Sequence, residues 1–203
     1  MNKILKSSLV LIAATSMTAG STGAYFSDSA VVSGNQISTG TWGTHLVINE
    51  VYYDVAADKG NETTDEWIEL YNPTDTAVSL KKWTITDNNT SVTINSEKSV
   101  PAHGFALLSK NGSTWSLHWL VPSGVEIVEL GHAIGGGLLN TGDRVVLEDD
   151  AGNLVDQMSY GTDDTIFILT GVSEGHSLER KVLGVDTDTA ADFIDNATPT
   201  PGA

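Results

Sequence analysis

The chain has 203 residues, with 26 Asp and Glu against 10 Lys and Arg for a formal net charge of −16, no cysteine, and 40% hydrophobic residues. Such a length allows one domain with at most an appendage, and the lack of cysteine excludes a disulfide scaffold, a thiolate zinc site, an iron–sulfur cluster and a cysteine nucleophile. Nucleic acid binding draws its affinity from cations that neutralise phosphates, so no DNA or RNA partner is expected, and anionic membrane surfaces are disfavoured for the same reason.

In chain order, Lys3 and Lys6 precede an apolar run from Leu9 to Ala14 and then a stretch of small residues. Residues 1–24 therefore read as a secretory signal peptide, cut after Ala24 and before Tyr25, with Thr18 or Gly20 as the alternative small-residue sites. Ser7, Ser8, Thr15, Ser16 and Thr18 interrupt the run, and a membrane span needs about 20 apolar residues, so no stable insertion is expected after cleavage. Removing this leader takes away Lys3 and Lys6 and no acid, which steepens the negative charge and makes divalent cations natural partners.

Residues 25–43 follow as an N-terminal segment, either a lead-in to the domain or a donor strand. The run A-V-V-S-G-N-Q-I-S-T-G is small and β-competent, suited to the exposed edge of a neighbouring sandwich. Ala24-Tyr25-Phe26-Ser27-Asp28, with Gly34-Asn35 and Thr39-Gly40-Thr41 after it, resembles the SipW-type signal peptides of the TasA and camelysin families. That resemblance implies prokaryotic export.

From Thr44 to Arg180 short runs rich in Val, Ile, Leu, Trp and Tyr alternate with Gly, Asn, Asp and Pro clusters, an all-β pattern. Strands are expected at 46–53, 66–72, 76–80, 82–87, 91–95, 104–109, 125–129, 143–148 and 153–160. Asp87-Asn88-Asn89 and Asp149-Asp150-Ala151-Gly152-Asn153 read as hairpin turns. In 66–72 alternation sends Ile68 and Leu70 inward and gives Trp67, Glu69 and Tyr71 to an outer, half-exposed face; in 153–160 a bulge is needed to reconcile Leu154, Val155 and Met158. So many short strands without helices argue a two-sheet sandwich over 44–198. Pro199 and Pro201 cannot continue a ladder, which leaves 199–203 as a tail. With no Leu-Pro sorting motif or apolar stretch in it, neither wall sorting nor a membrane anchor is expected.

Several of these runs in order carry a second resemblance: L-V-I-N-E-V-Y-Y-D (46–54), D-E-W-I-E-L-Y-N-P (65–73), V-S-L-K-K-W-T-I-T-D (78–87), V-P-A-H-G-F-A-L-L (100–108), L-N-T-G-D-R-V-V-L (139–147), A-G-N-L-V-D (151–156) with Tyr160-Gly161, and H-S-L-E-R (176–180). They resemble the lamin tail domain, which implies an immunoglobulin-like β-sandwich. Lys81-Lys82 stands where that family usually has a tighter Ser-Gly turn.

No catalytic constellation emerges from the residues. The five histidines form no H-E-x-x-H pair, and there is no G-x-S-x-G elbow. Gly135-Gly136-Gly137 has no Lys-Ser/Thr after it and reads as a flexible turn rather than a phosphate cradle. The acidic loop 54–66 is the best metal candidate, since Asp54, Asp58, Asn61 and Asp65 could surround one calcium ion with oxygens, although the spacing is not that of an EF-hand. Asp186, Asp188, Asp192 and Asp195 read as a polar run with Phe193 docking the chain onto the sandwich, and Trp115 and Trp119 as caps on a sandwich end.

The expected function is that of a secreted, non-enzymatic cell-surface or extracellular-matrix protein, acting in structural assembly or adhesion with itself or other surface proteins as partners. The alternative is a monomeric secreted binding module for a polysaccharide or protein, assisted by calcium.

Overall fold

Alternating apolar and polar residues favour strands, and clusters of Gly, Asn and Asp favour the turns that reverse them. The computed structural model describes residues 31–32, 35–36, 44–112 and 117–203. The leader, the Ala24–Tyr25 cut, Trp115 and most of the 25–43 segment lie outside the described residues.

The chain divides into two units, Met1–Thr39 and Gly40–Ala203. The described part of the first is one antiparallel pair, β1 (Val31–Val32) with β2 (Asn35–Gln36). The second contains β3 (Val47–Tyr52), β4 (Trp67–Tyr71), β5 (Val78–Ser79), β6 (Thr84–Thr86), β7 (Ser91–Thr93), β8 (Ser99–Val100) and β9 (Phe105–Ser109). It continues with β10 (Glu126–Glu129), β11 (Gly142–Glu148), β12 (Leu154–Gly161), β13 (Ser177–Arg180), a 3-10 turn (Ala190–Asp192) and β14 (Phe193–Asn196). Among the described residues no helix is long and apolar enough to cross a membrane.

A six-stranded sheet in the order β10-β9-β4-β3-β13-β14 faces a four-stranded sheet in the order β12-β11-β6-β7, and β5 pairs with β8 beside them. Inward side chains of the first sheet, including Ile48, Val51, Ile68, Leu70 and Leu108, form one cluster with Ile85, Val145, Leu147, Met158 and Tyr160 of the second. Each such side chain contributes roughly 1.5–3 kcal/mol on burial. This is the immunoglobulin-like β-sandwich that the strand pattern and the resemblance imply.

Both expected hairpins form, β6 to β7 and β11 to β12. The bulge in 153–160 is present too: Leu147 pairs with Asp156 and Glu148 with Leu154, leaving Val155 as the extra residue. A second bulge at Asn49 lets Ile48 and Val51 both face the core.

Three observations differ from the sequence reading. β13 and β14, absent from the expected strands, belong to the six-stranded sheet, so Asp195, read as part of a polar run, sits on a strand, while Phe193 docks onto the sandwich as expected. The face of β4 that carries Trp67 and Glu69 is not half-exposed, since both residues are fully buried. Alternation identifies the two faces correctly but cannot show that a later segment covers the outer one. Finally, residues 199–203 do not hang free, because Pro201 and Gly202 are buried.

Arg180 of β13 lies between the sheets, its side chain 1% exposed. Its guanidinium pairs with Asp156 of β12 at 2.7 Å and donates to Ile48 O of β3 at 2.8 Å. Asp186 and Asp192, which the sequence places in a loose polar run, each lie 3.3 Å from the same group.

The Lys81-Lys82 turn shows what the departure from Ser-Gly entails. Lys82 has φ +67°, in the left-handed region, while its N–H donates to Ile94 O at 2.8 Å. A side chain there is strained where glycine is not. Lys82→Gly is therefore expected to raise stability by about 0.5–1 kcal/mol, measured by urea unfolding.

Candidate functional site

The acidic loop 54–66 is held by its own carboxylates. Asp65 is buried, and its Oδ2 accepts the Asn61 N–H at 2.8 Å. Gly60, at φ +127°, leaves room for this, as a Cβ there would lie 2.3 Å from Asp65 Oδ2. Asp54 Oδ1 accepts from Asn140 Nδ2 at 2.9 Å, and Glu62 Oε1 accepts the Val55 N–H at 3.0 Å. Asp58 and Asn61 are exposed. Of the four expected calcium ligands, Asn61 and Asp65 are joined by the hydrogen bond from the Asn61 N–H, and among the described residues no three His, Asp or Glu side chains converge to hold a metal ion.

Other acids are used in the same way at the loop ends. Glu66 Oε2 accepts the Leu138 N–H at 3.2 Å, Asp143 Oδ1 the Asn88 N–H at 2.8 Å, and Asp87 Oδ2 the Gly136 N–H at 2.5 Å. Gly135-Gly136-Gly137 is consequently not a flexible turn. It wraps Asp87 so closely that a Cβ on Gly135, which has φ +56°, would sit 2.2 Å from Asp87 Cγ. The run does cradle an acid, but the acid is the internal Asp87 side chain.

One opening lies on the outer face of the six-stranded sheet. There Tyr52 and Trp67 stack with ring centroids 5.7 Å apart, and Trp119, from the connection between β9 and β10, meets both edge-on at 5.2 and 5.7 Å. Val55 and Leu107 complete this second apolar layer, and Val121, Val125 and Ile127 pack against it. Trp119 thus packs as the sequence expects, but on the outer face of a sheet rather than over a sandwich end. Lys59 lies 4.5 Å above its ring, a cation–π contact that orients the lysine from loop 54–66. A groove of about 690 Å³ opens here, lined by Ala56, Lys59, His118, Trp119 and Pro122 on one side and 197–203 on the other. Leu120, which also lines it, is 98% exposed, and Leu117, on the same connection, is 81% exposed.

Next to this layer three glutamates lie side by side on neighbouring strands. Register pairs Glu69 of β4 with Glu50 of β3, and Glu50 with Glu179 of β13. Their hydrogen-bond donors are neutral: Asn49 Nδ2 to Glu69 at 2.8 Å, Ser177 Oγ to Glu50, Asn196 Nδ2 to Glu179 at 2.6 Å, and the backbone N–H groups of Thr200 and Gly202. Without a cation, burial dominates and disfavours the charged form. It pushes Glu50 up to about 7 and Glu69 up to about 8, aided by the neighbouring carboxyls, and raises Glu179. Sequence reading passed over these residues, although N-E-V-Y-Y and E-W-I-E-L each put a glutamate on the same face as an aromatic.

Because the folded pKa values lie above the ordinary carboxyl value near 4.3, the folded state holds these protons more tightly. The stability they contribute is complete below that value and is lost as pH rises through about 7 to 8. Glu69→Gln, which mimics the protonated acid, is expected to match the unmodified chain below about pH 4 and to exceed it by about 1–3 kcal/mol at pH 9, measured by urea unfolding at each pH.

A family model described as Lamin Tail Domain matches residues 40–162. No curated protein matches the chain. The matched span runs from the start of the sandwich through β12 and contains the aromatic layer, Lys59, Glu50 and Glu69; β13 and β14 lie beyond it, though they complete the same sheet. On this match, the chain belongs to the lamin tail domain family.

Proposed function

We propose that the protein is an exported, non-catalytic interaction module that acts in structural assembly or adhesion at a cell surface or in an extracellular matrix, with copies of itself as its first partners. The observation that carries this reading is the outer-face groove, where a rigid aromatic layer sits beside the exposed leucines Leu117 and Leu120. Large exposed apolar side chains rimming a groove are what a contact surface needs. Further support comes from the acids of the loops, which are spent on holding backbone N–H groups and so stiffen the scaffold around the groove. The leader pattern of residues 1–24 supports export to where such assembly takes place.

A polar concavity of about 600 Å³ on the exposed face of the four-stranded sheet favours the second reading, a monomeric polysaccharide reader. Asn88, Asn89, Arg144 and Gln157 line it, planar groups that match pairs of sugar hydroxyls.

Sedimentation velocity of the unmodified chain and of Leu117→Glu/Leu120→Glu over a range of concentrations separates the two. Assembly predicts concentration-dependent growth in the unmodified chain that the double variant loses. A single monomeric species for both at every concentration would refute it.

A further inference from the structure

Residues 197–203 leave β14 and turn back over the outer face, yet they pair with no strand there. Two side chains take over the ladder's role: the Thr200 N–H donates to Glu50 Oε1 at 3.2 Å, and the Gly202 N–H to Glu69 Oε2. The Ala203 N–H donates to Thr200 O at 3.1 Å and closes a turn in which Gly202 has φ +90°. A Cβ on Gly202 would lie 2.8 Å from both Pro122 Cδ and Val125 Cγ2, so the seat admits glycine alone. Pro201 is buried in it as well. Asn49 Oδ1, in the floor beside Glu69, is buried without a hydrogen-bond partner.

These are the parts of a peptide receptor. The acceptors are fixed on adjacent strands, the shape is selective, and Pro199 and Pro201 restrict the segment so that docking costs it little conformational freedom. The segment's hold is local, and nothing in the chemistry of the seat requires that segment and seat belong to one molecule.

We propose, resting on the assembly reading above, that this cradle of Glu50, Glu69, Pro122 and Val125 is an exchange site that accepts the 197–203 segment of a second copy in place of its own. Segment exchange links copies through a contact already present within each one, which makes it a low-cost route to association. The exposed Leu117 and Leu120 lie on the connection that also supplies Pro122 and Val125, so copies joined by exchange bring these leucines toward the shared interface.

The test uses the full chain carrying Gly202→Val, which displaces its own segment by the clash with Pro122 and Val125, and a fluorescent peptide of residues 197–203, read by anisotropy. Saturable binding to this variant is expected. Binding at least about tenfold weaker is expected for the unmodified chain, whose own segment competes at high effective concentration, and for Gly202→Val/Glu69→Leu, which lacks the acceptor. A folded Gly202→Val chain that binds no peptide overturns the proposal. Amide hydrogen exchange of the unmodified chain tests it without any substitution: Thr200 and Gly202 must exchange faster than the amides of β4, and equal protection overturns exchange. A chain that grows with concentration although the folded Gly202→Val variant binds no peptide overturns the exchange alone, whereas a chain that stays monomeric at every concentration overturns the exchange and the assembly reading together.

Discussion

A buried guanidinium holds this sandwich together. Arg180 is closed off from water, and a charge in that position is tolerated only when it is paired and hydrogen-bonded. It satisfies that demand by recruiting every nearby part of the fold: Asp156 from the opposite sheet at 2.7 Å, Ile48 O from β3 at 2.8 Å, Val185 O at 2.9 Å, and Asp186 and Asp192 at 3.3 Å. Asp156 Oδ2 also accepts the Ile48 N–H at 2.6 Å, next to the bulge of β3. The ring of Phe193 lies 4.7 Å from the guanidinium, so the start of β14 is drawn into the same cluster. Everything after residue 180 depends on this anchoring, because the loop through Asp186 and Asp192 sets where β14 begins and therefore where 197–203 comes to rest.

Two groups of buried acids thus have different partners. Between the sheets, carboxylates gather around a cation and fix the architecture. On the outer face Glu50, Glu69 and Glu179 have only neutral donors, and burial keeps their protons on to higher pH. The first arrangement resists opening. The second holds a short segment through two backbone amides, which suits a contact made and broken at the surface while the core stays closed.

The strands that alternate cleanly, 47–52 and 67–71 among them, were legible from period alone, as were the two Asn/Asp/Gly turns and the need for a bulge near Val155. So was the family, whose matched residues 40–162 include most of the runs that carry the resemblance. Other features depend on contacts far apart in sequence. The outer face of β4 becomes interior only because Trp119, some 50 residues later, folds onto Trp67. F-I-D-N is short and acidic and reads as a strand only once Arg180 has fixed Phe193 beside it. Pro199 and Pro201 rightly signalled the end of a ladder, but a segment can dock without one when side chains supply the acceptors. In loop 54–66 the density of acids suggests a cation site; in the fold Asp65 and Glu62 accept nearby N–H groups, partners that loops of this kind offer first, while Asp58 is exposed.

A double-mutant cycle on Arg180 and Asp156, followed by urea unfolding, tests the anchoring most directly. Arg180→Leu strands Asp156, Asp186 and Asp192 around a lost cation and is predicted to cost about 3–5 kcal/mol. Asp156→Leu added to it is predicted to recover part of that loss, giving a coupling energy of about 1–3 kcal/mol between the two sites. Additive effects, with Arg180→Leu alone costing under about 1 kcal/mol, would contradict the account and make the apolar core the sole tie between the sheets.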